Sequence, residues 1–242
     1  MAGVTFRGMD TRTTLVRWGL AAVAAGIVLG ATVPLALRGL AVVWSTDRQG
    51  LVWLFERVFA FTAYIALTAS VVYGLLLSTR LLDHIAHRPI SYTLHQDLAA
   101  IGVGLAGVHG FLLGLDHTML FSIAQILVPG LSPHAPLAVA VGQLALYLAL
   151  VVVGSFYLRP HLSQRAWRTL HYGTFLVFIG VTVHGIASGS DSSAAWAQWL
   201  YIGSAAVVGF LLAYRISLVL ADRAGRGQVS RAQEELERVL RR

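Results

Sequence analysis

The sequence predicts an all-α integral membrane protein, a six-transmembrane-helix bundle, on three observations. Hydrophobic residues make up 57% of the 242 residues and charged residues only 12%, whereas about 25% are charged in an average soluble domain. Six apolar stretches are long enough to cross a bilayer, which takes about 20 residues. Arginines cluster at the ends of these stretches, which is typical of membrane topology. The sequence therefore excludes a water-soluble enzyme, and despite a net charge of +7 we expect no nucleic-acid partner.

The six predicted spans follow one another at short intervals. They run over Leu15–Leu37, Val52–Leu77, Asp97–Leu115, Leu137–Leu158, Leu170–Ser188 and Ala195–Leu218. The first stretch could be a signal peptide, but it is longer than a typical signal core and no clear cleavage site follows, so we expect a retained helix. The chain then divides into an N-terminal segment (1–14), a six-helix transmembrane domain (15–220) and a polar tail (221–242).

The arginine distribution predicts that both termini are cytoplasmic. All 18 basic residues are arginine, and all but three lie towards the two termini or in the second and fourth loops. The three exceptions, Arg38, Arg48 and Arg57, fall on the other side. Because cytoplasmic loops carry the excess of basic residues, we expect a multi-pass protein of the cell membrane, in contact with its lipid.

Two segments outside the spans have patterns of their own. Thr118 to Val128 is apolar but too short to span, which is typical of an interfacial or re-entrant segment; a loop packed on the bundle is the alternative. In the tail, Ser230 and Gln233 form a capping-box pattern, and apolar residues then recur at helical spacing. This predicts a short C-terminal amphipathic helix for a lipid surface or a partner, with a solvated tail as the alternative.

Four of the nine histidines are the candidate functional residues. His95 and His109 are 14 residues apart on the third predicted span, and His171 and His184 are 13 apart on the fifth. Ionisable side chains inside a membrane are costly and therefore functional candidates, although a hydrogen-bonded structural histidine is possible at each position. These separations correspond to ~21 and ~20 Å along a helix. The two spans thus place His95 with His171 at one depth and His109 with His184 at another.

Two facing imidazoles at each depth suit haem iron, for which histidine is an established axial ligand. Zinc usually takes three or four protein ligands, and a proton relay normally recruits carboxylates. Between Leu98 and Leu158 the only acidic residue is Asp116, and the chain has no cysteine. The pattern therefore favours haem over zinc or proton transport, and no side chain is expected to act as a general acid or base.

Helix periodicity supports one of the two spans better than the other. Fourteen residues bring His109 within ~40° of His95, but thirteen leave His184 ~140° from His171. We therefore expect an irregularity of the fifth span near Gly180. The third span is rich in glycine, which would let either a macrocycle or a neighbouring helix approach closely. These glycines are Gly102, Gly104, Gly107, Gly110 and Gly114.

Haem propionates need cationic partners, and several arginines are candidates. Arg80, Arg88 and Arg168 are predicted on the cytoplasmic side, and Arg48 and Arg57 on the other. Positive-inside topology already explains most of the cytoplasmic ones.

This pattern resembles the ferric-reductase-like transmembrane family, which includes eukaryotic NADPH oxidases, ferric reductases and the haem subunit of the bacterial periplasmic methionine sulfoxide reductase system. The family is marked by His-x13-His on the third helix of six and His-x12-His on the fifth. His95/His109 and His171/His184 match that spacing, and the resemblance covers the second span through the sixth. It implies two haem b, the inner held by His95 and His171 and the outer by His109 and His184, with electrons passing outward.

The sequence departs from the oxidases and ferric reductases at its C-terminal end. Only about 20 residues follow the sixth span, and no glycine-rich dinucleotide fingerprint is present. We therefore expect an electron-transfer component whose donor is a separate cytoplasmic reductase or flavoprotein, a bound flavin, or quinol. Ferric iron, dioxygen or a periplasmic redox protein would be the acceptor. The alternatives are a non-catalytic haem-binding or structural subunit of a larger complex, and a small transporter that uses histidine for proton coupling.

Overall fold

The computed structural model describes residues 48–81, 83, 88–115 and 121–241. Those residues form six α-helices and one short 3-10 turn, and no strand occurs among them. The helices are α1 (Arg48–Thr79), α2 (Arg88–Leu113), α3 (Ile123–Leu127), α4 (Pro136–Leu158), α5 (Gln164–Ser188) and α6 (Ala195–Leu240), with the 3-10 turn (Arg159–His161) between α4 and α5. The predicted all-helical class is confirmed for this part of the chain.

Five of these helices are long and apolar enough to cross a membrane. The qualifying segments are Gly50–Thr79, Pro89–Leu113, Pro136–His161, Gln164–Ser188 and Ala195–Gly227. They correspond to the second through sixth predicted spans, so the multi-pass membrane character is confirmed. The first predicted span, Leu15–Leu37, and the N-terminal segment lie outside the described residues.

Local signals explain where two of the spanning helices begin. Helix α5 follows Ser163, whose hydroxyl accepts a hydrogen bond of 3.2 Å from the backbone N–H of Ala166. Helix α4 begins at Pro136, a residue whose fixed φ and missing N–H suit the first helical position. Within each span the helix satisfies its own backbone groups, which a lipid environment requires.

Most of the packing between spanning helices joins helices that are consecutive in the chain. Helix α1 lies along α2, α4 lies along α5, and α6 lies against α1, while α1–α5 and α2–α4 contacts join the two halves. Glycine permits the closest approaches: a Cβ at Gly102 would lie 2.7 Å from Leu67 Cγ, and one at Gly180 would lie 2.8 Å from Ala145 Cβ. Helices α2 and α5, which carry the candidate histidines, therefore both pack against α1 and α4.

The connection between α2 and α4 is packed on the bundle. The Gln143 amide of α4 donates hydrogen bonds to the carbonyls of Gln125 (2.8 Å) and Ile126 (2.6 Å), and the Tyr147 hydroxyl donates to the carbonyl of Leu127. These are carbonyls at the end of the short helix α3, which lack partners within it. Side chains of the spanning helix α4 thus supply the hydrogen bonds that these carbonyls need, as a segment at the membrane requires. Residues 118–120 of the predicted apolar run lie outside the described part.

The tail does not form a separate helix at Ser230. Helix α6 runs without a break from Ala195 to Leu240, so the expected N-cap position lies in its interior. No proline interrupts this stretch, and an ion pair between Asp222 and Arg226, four residues apart, supports the helix where it turns polar. The segment is helical as predicted, but it continues the last span.

A candidate two-level histidine site

The structure brings the four candidate histidines together as two pairs. The ring centres of His95 on α2 and His171 on α5 are 5.8 Å apart, and those of His109 and His184 are 6.4 Å apart on the same two helices. We call these the first pair and the second pair. Along α2 they are separated by ~21 Å. The predicted pairing of residues at two depths is therefore present in the fold.

The distance within each pair agrees with two imidazoles bound to one metal ion. A bond from a metal to an imidazole nitrogen is about 2 Å, and the ring centre lies roughly 1 Å beyond that nitrogen, so two opposed rings have centres about 6 Å apart. The observed distances, 5.8 and 6.4 Å, lie close to that value. The ring planes differ by 73° and 64°, which two ligands permit because each ring can turn about its own bond.

Hydrogen bonds fix the tautomer of three of the four rings. In each, Nδ1 lies within hydrogen-bond distance of a backbone carbonyl of a neighbouring helix. The acceptors are the carbonyls of Ser70 for His95 (2.8 Å), Glu56 for His109 (3.1 Å) and Ala138 for His184 (3.0 Å). A carbonyl can only accept, so Nδ1 carries the hydrogen and the neutral ring keeps a free lone pair on Nε2. Histidines that ligate metals almost always donate their other N–H in this way.

A glycine makes room for two of these three rings. It stands four positions after the accepting carbonyl, on the same helix face: Gly74 after Ser70, and Gly142 after Ala138. A Cβ at Gly142 would lie 2.5 Å from Nδ1 of His184, and one at Gly74 would lie 3.1 Å from Cε1 of His95. The corresponding residue after Glu56 is Ala60. Helices α1 and α4 thus leave space for the imidazoles of His95 and His184.

The fourth ring, His171, is held by stacking. Its centre lies 5.1 Å from that of Trp167, with 19° between the planes, because residues four apart are neighbours on a helix. Helix α5 is uninterrupted from Gln164 to Ser188, so the irregularity expected near Gly180 does not break the helix. The His184 ring reaches the Ala138 carbonyl, and the His171 ring stacks on Trp167.

A cavity of about 250 Å³ opens beside the first pair, between α1, α2, α4 and α5. Most of its wall is apolar, and Leu67, Val103, Val152 and Phe178 contribute to it together with His95 and His171. Two buried donor atoms in this wall, Nε2 of Gln96 and Nε1 of Trp167, have no hydrogen-bond partner among the described residues. An apolar cavity with opposed imidazoles and unpaired donors suits a flat apolar ligand that carries acidic groups, such as haem.

Of the five arginines predicted as propionate partners, Arg57 is already engaged. Its guanidinium makes a two-point ion pair with the carboxylate of Asp191 and lies 4.0 Å from the ring centre of Trp53. In this conformation it joins α1 to the connection before α6. Of the other four, Arg80 and Arg168 are exposed, whereas Arg48 and Arg88 begin α1 and α2 with side chains outside the described part.

The glycines of α2 mainly serve helix packing or face open space. Gly102 contacts Leu67 of α1, and Gly114 contacts Ile126 of the connection, where a Cβ would lie 3.1 Å from its Cδ1. Among the described residues, none lies within 4 Å of a Cβ at Gly104 or Gly107. Gly102 and Gly114 thus allow the approach of a neighbouring segment, one of the two expected roles.

Sequence reasoning missed the residues that surround the histidines. Trp167 could have been found, because it lies four residues before His171 on the same helix face. Gln96, Gly74 and Gly142 gave no signal, since their relation to a histidine depends on how separate helices pack or on where a cavity opens. These contacts could be read only from the tertiary structure.

Comparison of the chain with protein-family models, with curated proteins and with solved structures finds no match. Within the described ranges, no group of three or more His, Asp or Glu residues is placed to hold a metal ion. The interpretation below therefore depends on the two imidazole pairs, on their hydrogen bonds and on the sequence pattern.

Proposed function

We propose that the protein is a diheme b-type membrane cytochrome of the ferric-reductase-like kind, the electron-transfer component of an oxidoreductase. The observation that supports this most directly is the opposed spacing of both imidazole pairs, 5.8 and 6.4 Å between ring centres. Each pair supplies two ligands, as an iron porphyrin needs because the macrocycle fills the other four positions. His95 and His171 would hold the inner haem, and His109 and His184 the outer.

The residues around the pairs orient the ligands in advance. The carbonyls of Ser70, Glu56 and Ala138 keep Nε2 of three histidines available, and hydrogen bonds of this kind also raise the basicity of the ligand. Haem bound there would supply one-electron redox chemistry. The protein would contribute ligation, orientation and an apolar surrounding that excludes water.

Two levels ~21 Å apart along α2 support transfer across the membrane. In the proposed topology six spans, including Leu15–Leu37, place both termini on the cytoplasmic side of the cell membrane. The first pair then faces the cytoplasmic donor, a separate flavoprotein or reductase, a bound flavin or quinol. The second pair faces an extracytoplasmic acceptor, for which ferric iron, dioxygen or a periplasmic redox protein are the candidates.

The test is a reduced-minus-oxidised spectrum of the purified full chain with haem quantitation. We expect close to two haem b per chain. The variant His109→Ala should remove one spectral component and leave the one held by His95 and His171. His161→Ala is the matched control, because that histidine is exposed on the 3-10 turn. A colourless protein from haem-sufficient cells, or two intact components in His109→Ala, would contradict the proposal.

A further inference from the structure

Four side chains form a polar group at one end of the cavity beside the first pair. Gln96 and Trp167 contribute two buried donors that have no hydrogen-bond partner within the described part of the chain. The hydroxyl of Tyr92, which also lines the cavity, lies 3.4 Å from a guanidinium nitrogen of Arg159, and that guanidinium lies 4.7 Å from the Trp167 ring centre. Arg159 thus brings a permanent positive charge close to Tyr92 and Trp167.

Buried donors without partners are costly, about 1–3 kcal/mol each, and this cost disappears if a ligand accepts their hydrogen bonds. The Trp167 indole can only donate, and so can the Gln96 amide nitrogen. The guanidinium of Arg159 is likewise a donor that stays charged at any physiological pH. The group therefore matches a ligand that accepts several hydrogen bonds and is negatively charged, which describes a carboxylate.

We propose that Gln96, Trp167 and Arg159 bind a carboxylate of the inner haem, an inference that depends on the proposed function. Its place follows from Trp167, which lines the cavity and whose ring stacks on His171. One turn of α5 thus positions both an iron ligand and a donor to the porphyrin edge. The predicted candidates Arg80, Arg88 and Arg168 are not needed for this role.

The same donors suit a quinol less well. A quinol must give up hydrogens on oxidation and therefore needs an acceptor in its site. Asp97 is the only acidic residue among the described residues of the cavity wall, and it is exposed. The imidazoles of His95 and His171 also line the cavity, but the proposed function assigns them to iron, so the carboxylate is the better match.

The test compares how fast haem leaves the purified full chain for an excess of apomyoglobin. Trp167→Phe keeps the stacked ring but removes the N–H, and Gln96→Leu removes the amide. Each should speed the loss of the inner component by about tenfold, since hydrogen bonds to charged groups are the strong ones. Trp199→Phe and Gln198→Leu, on exposed positions of α6, are the matched controls and should leave the rate unchanged.

The carboxylate itself is tested with haem dimethyl ester, in which both acidic groups are blocked. Wild-type protein reconstituted with the ester should lose it as fast as the variants do, and the variants should show no further increase. The assignment is wrong if wild-type protein loaded with the ester still loses its inner component at a different rate from Trp167→Phe. It is also wrong if both variants release haem at the wild-type rate. Wild-type protein that binds no haem would instead refute the proposed function, and with it this inference.

Discussion

Gly142→Ala is the sharpest test of how the fold positions an iron ligand. The added Cβ would lie 2.5 Å from Nδ1 of His184 and 2.6 Å from its Cγ. Ordinary carbon contacts are about 3.5–4 Å, so the imidazole must move by roughly 1 Å. That displacement breaks the 3.0 Å hydrogen bond from Nδ1 to the Ala138 carbonyl.

The expected effect is local to the second pair. Losing a hydrogen-bond partner of a metal ligand typically costs about 10- to 100-fold in metal affinity. Alanine in a helix interior is otherwise favoured over glycine by about 1 kcal/mol, so the helix itself should tolerate the change. The assay is haem content and redox titration of the two spectral components in purified protein, where the component of His109 and His184 should be lost or shifted.

Two matched variants complete the experiment. Gly154→Ala lies on the same helix α4, and no described residue is within 4 Å of its new Cβ. Both spectral components should therefore be the same as in wild-type protein. Gly74→Ala should act on the first pair and more weakly, because its Cβ would lie 3.1 Å from the His95 ring and a shift of a few tenths of an ångström relieves it. An unchanged second component in Gly142→Ala, or an equal change in Gly154→Ala, would refute the reasoning.

Two further predictions concern contacts outside the histidine pairs. Arg57→Gln or Asp191→Asn should lower the stability measured by thermal unfolding in detergent by about 1–3 kcal/mol, because each leaves a partly buried charge without its partner. The double variant should recover part of this loss. An equal loss of stability in the single and double variants would argue against the ion pair. Gln143→Leu removes the amide that donates to the Gln125 and Ile126 carbonyls and should increase hydrogen exchange in residues 121–131. Unchanged exchange there would show that the connection is held by other contacts.

Much of the membrane architecture could be predicted because it depends on composition along the chain. A bilayer selects about 20 apolar residues in succession, and five such segments appear as helices within the described range. The pairing of depths was also predictable, since a fixed rise of 1.5 Å per residue converts sequence spacing into height. The boundary expected at Ser230 was wrong, because a capping pattern does not start a new helix where the preceding one continues without a break.

The sequence by itself determined which residues are apolar enough to span and which four histidines share two depths. Only the tertiary structure decided that His171 and His184 both reach their partners despite the 13-residue phase difference, and that Gly142 and the Ala138 carbonyl hold one of those rings. The physical reason is that helix periodicity fixes the direction of a Cβ, whereas the direction of a ring depends on the carbonyls and gaps that neighbouring helices present to it.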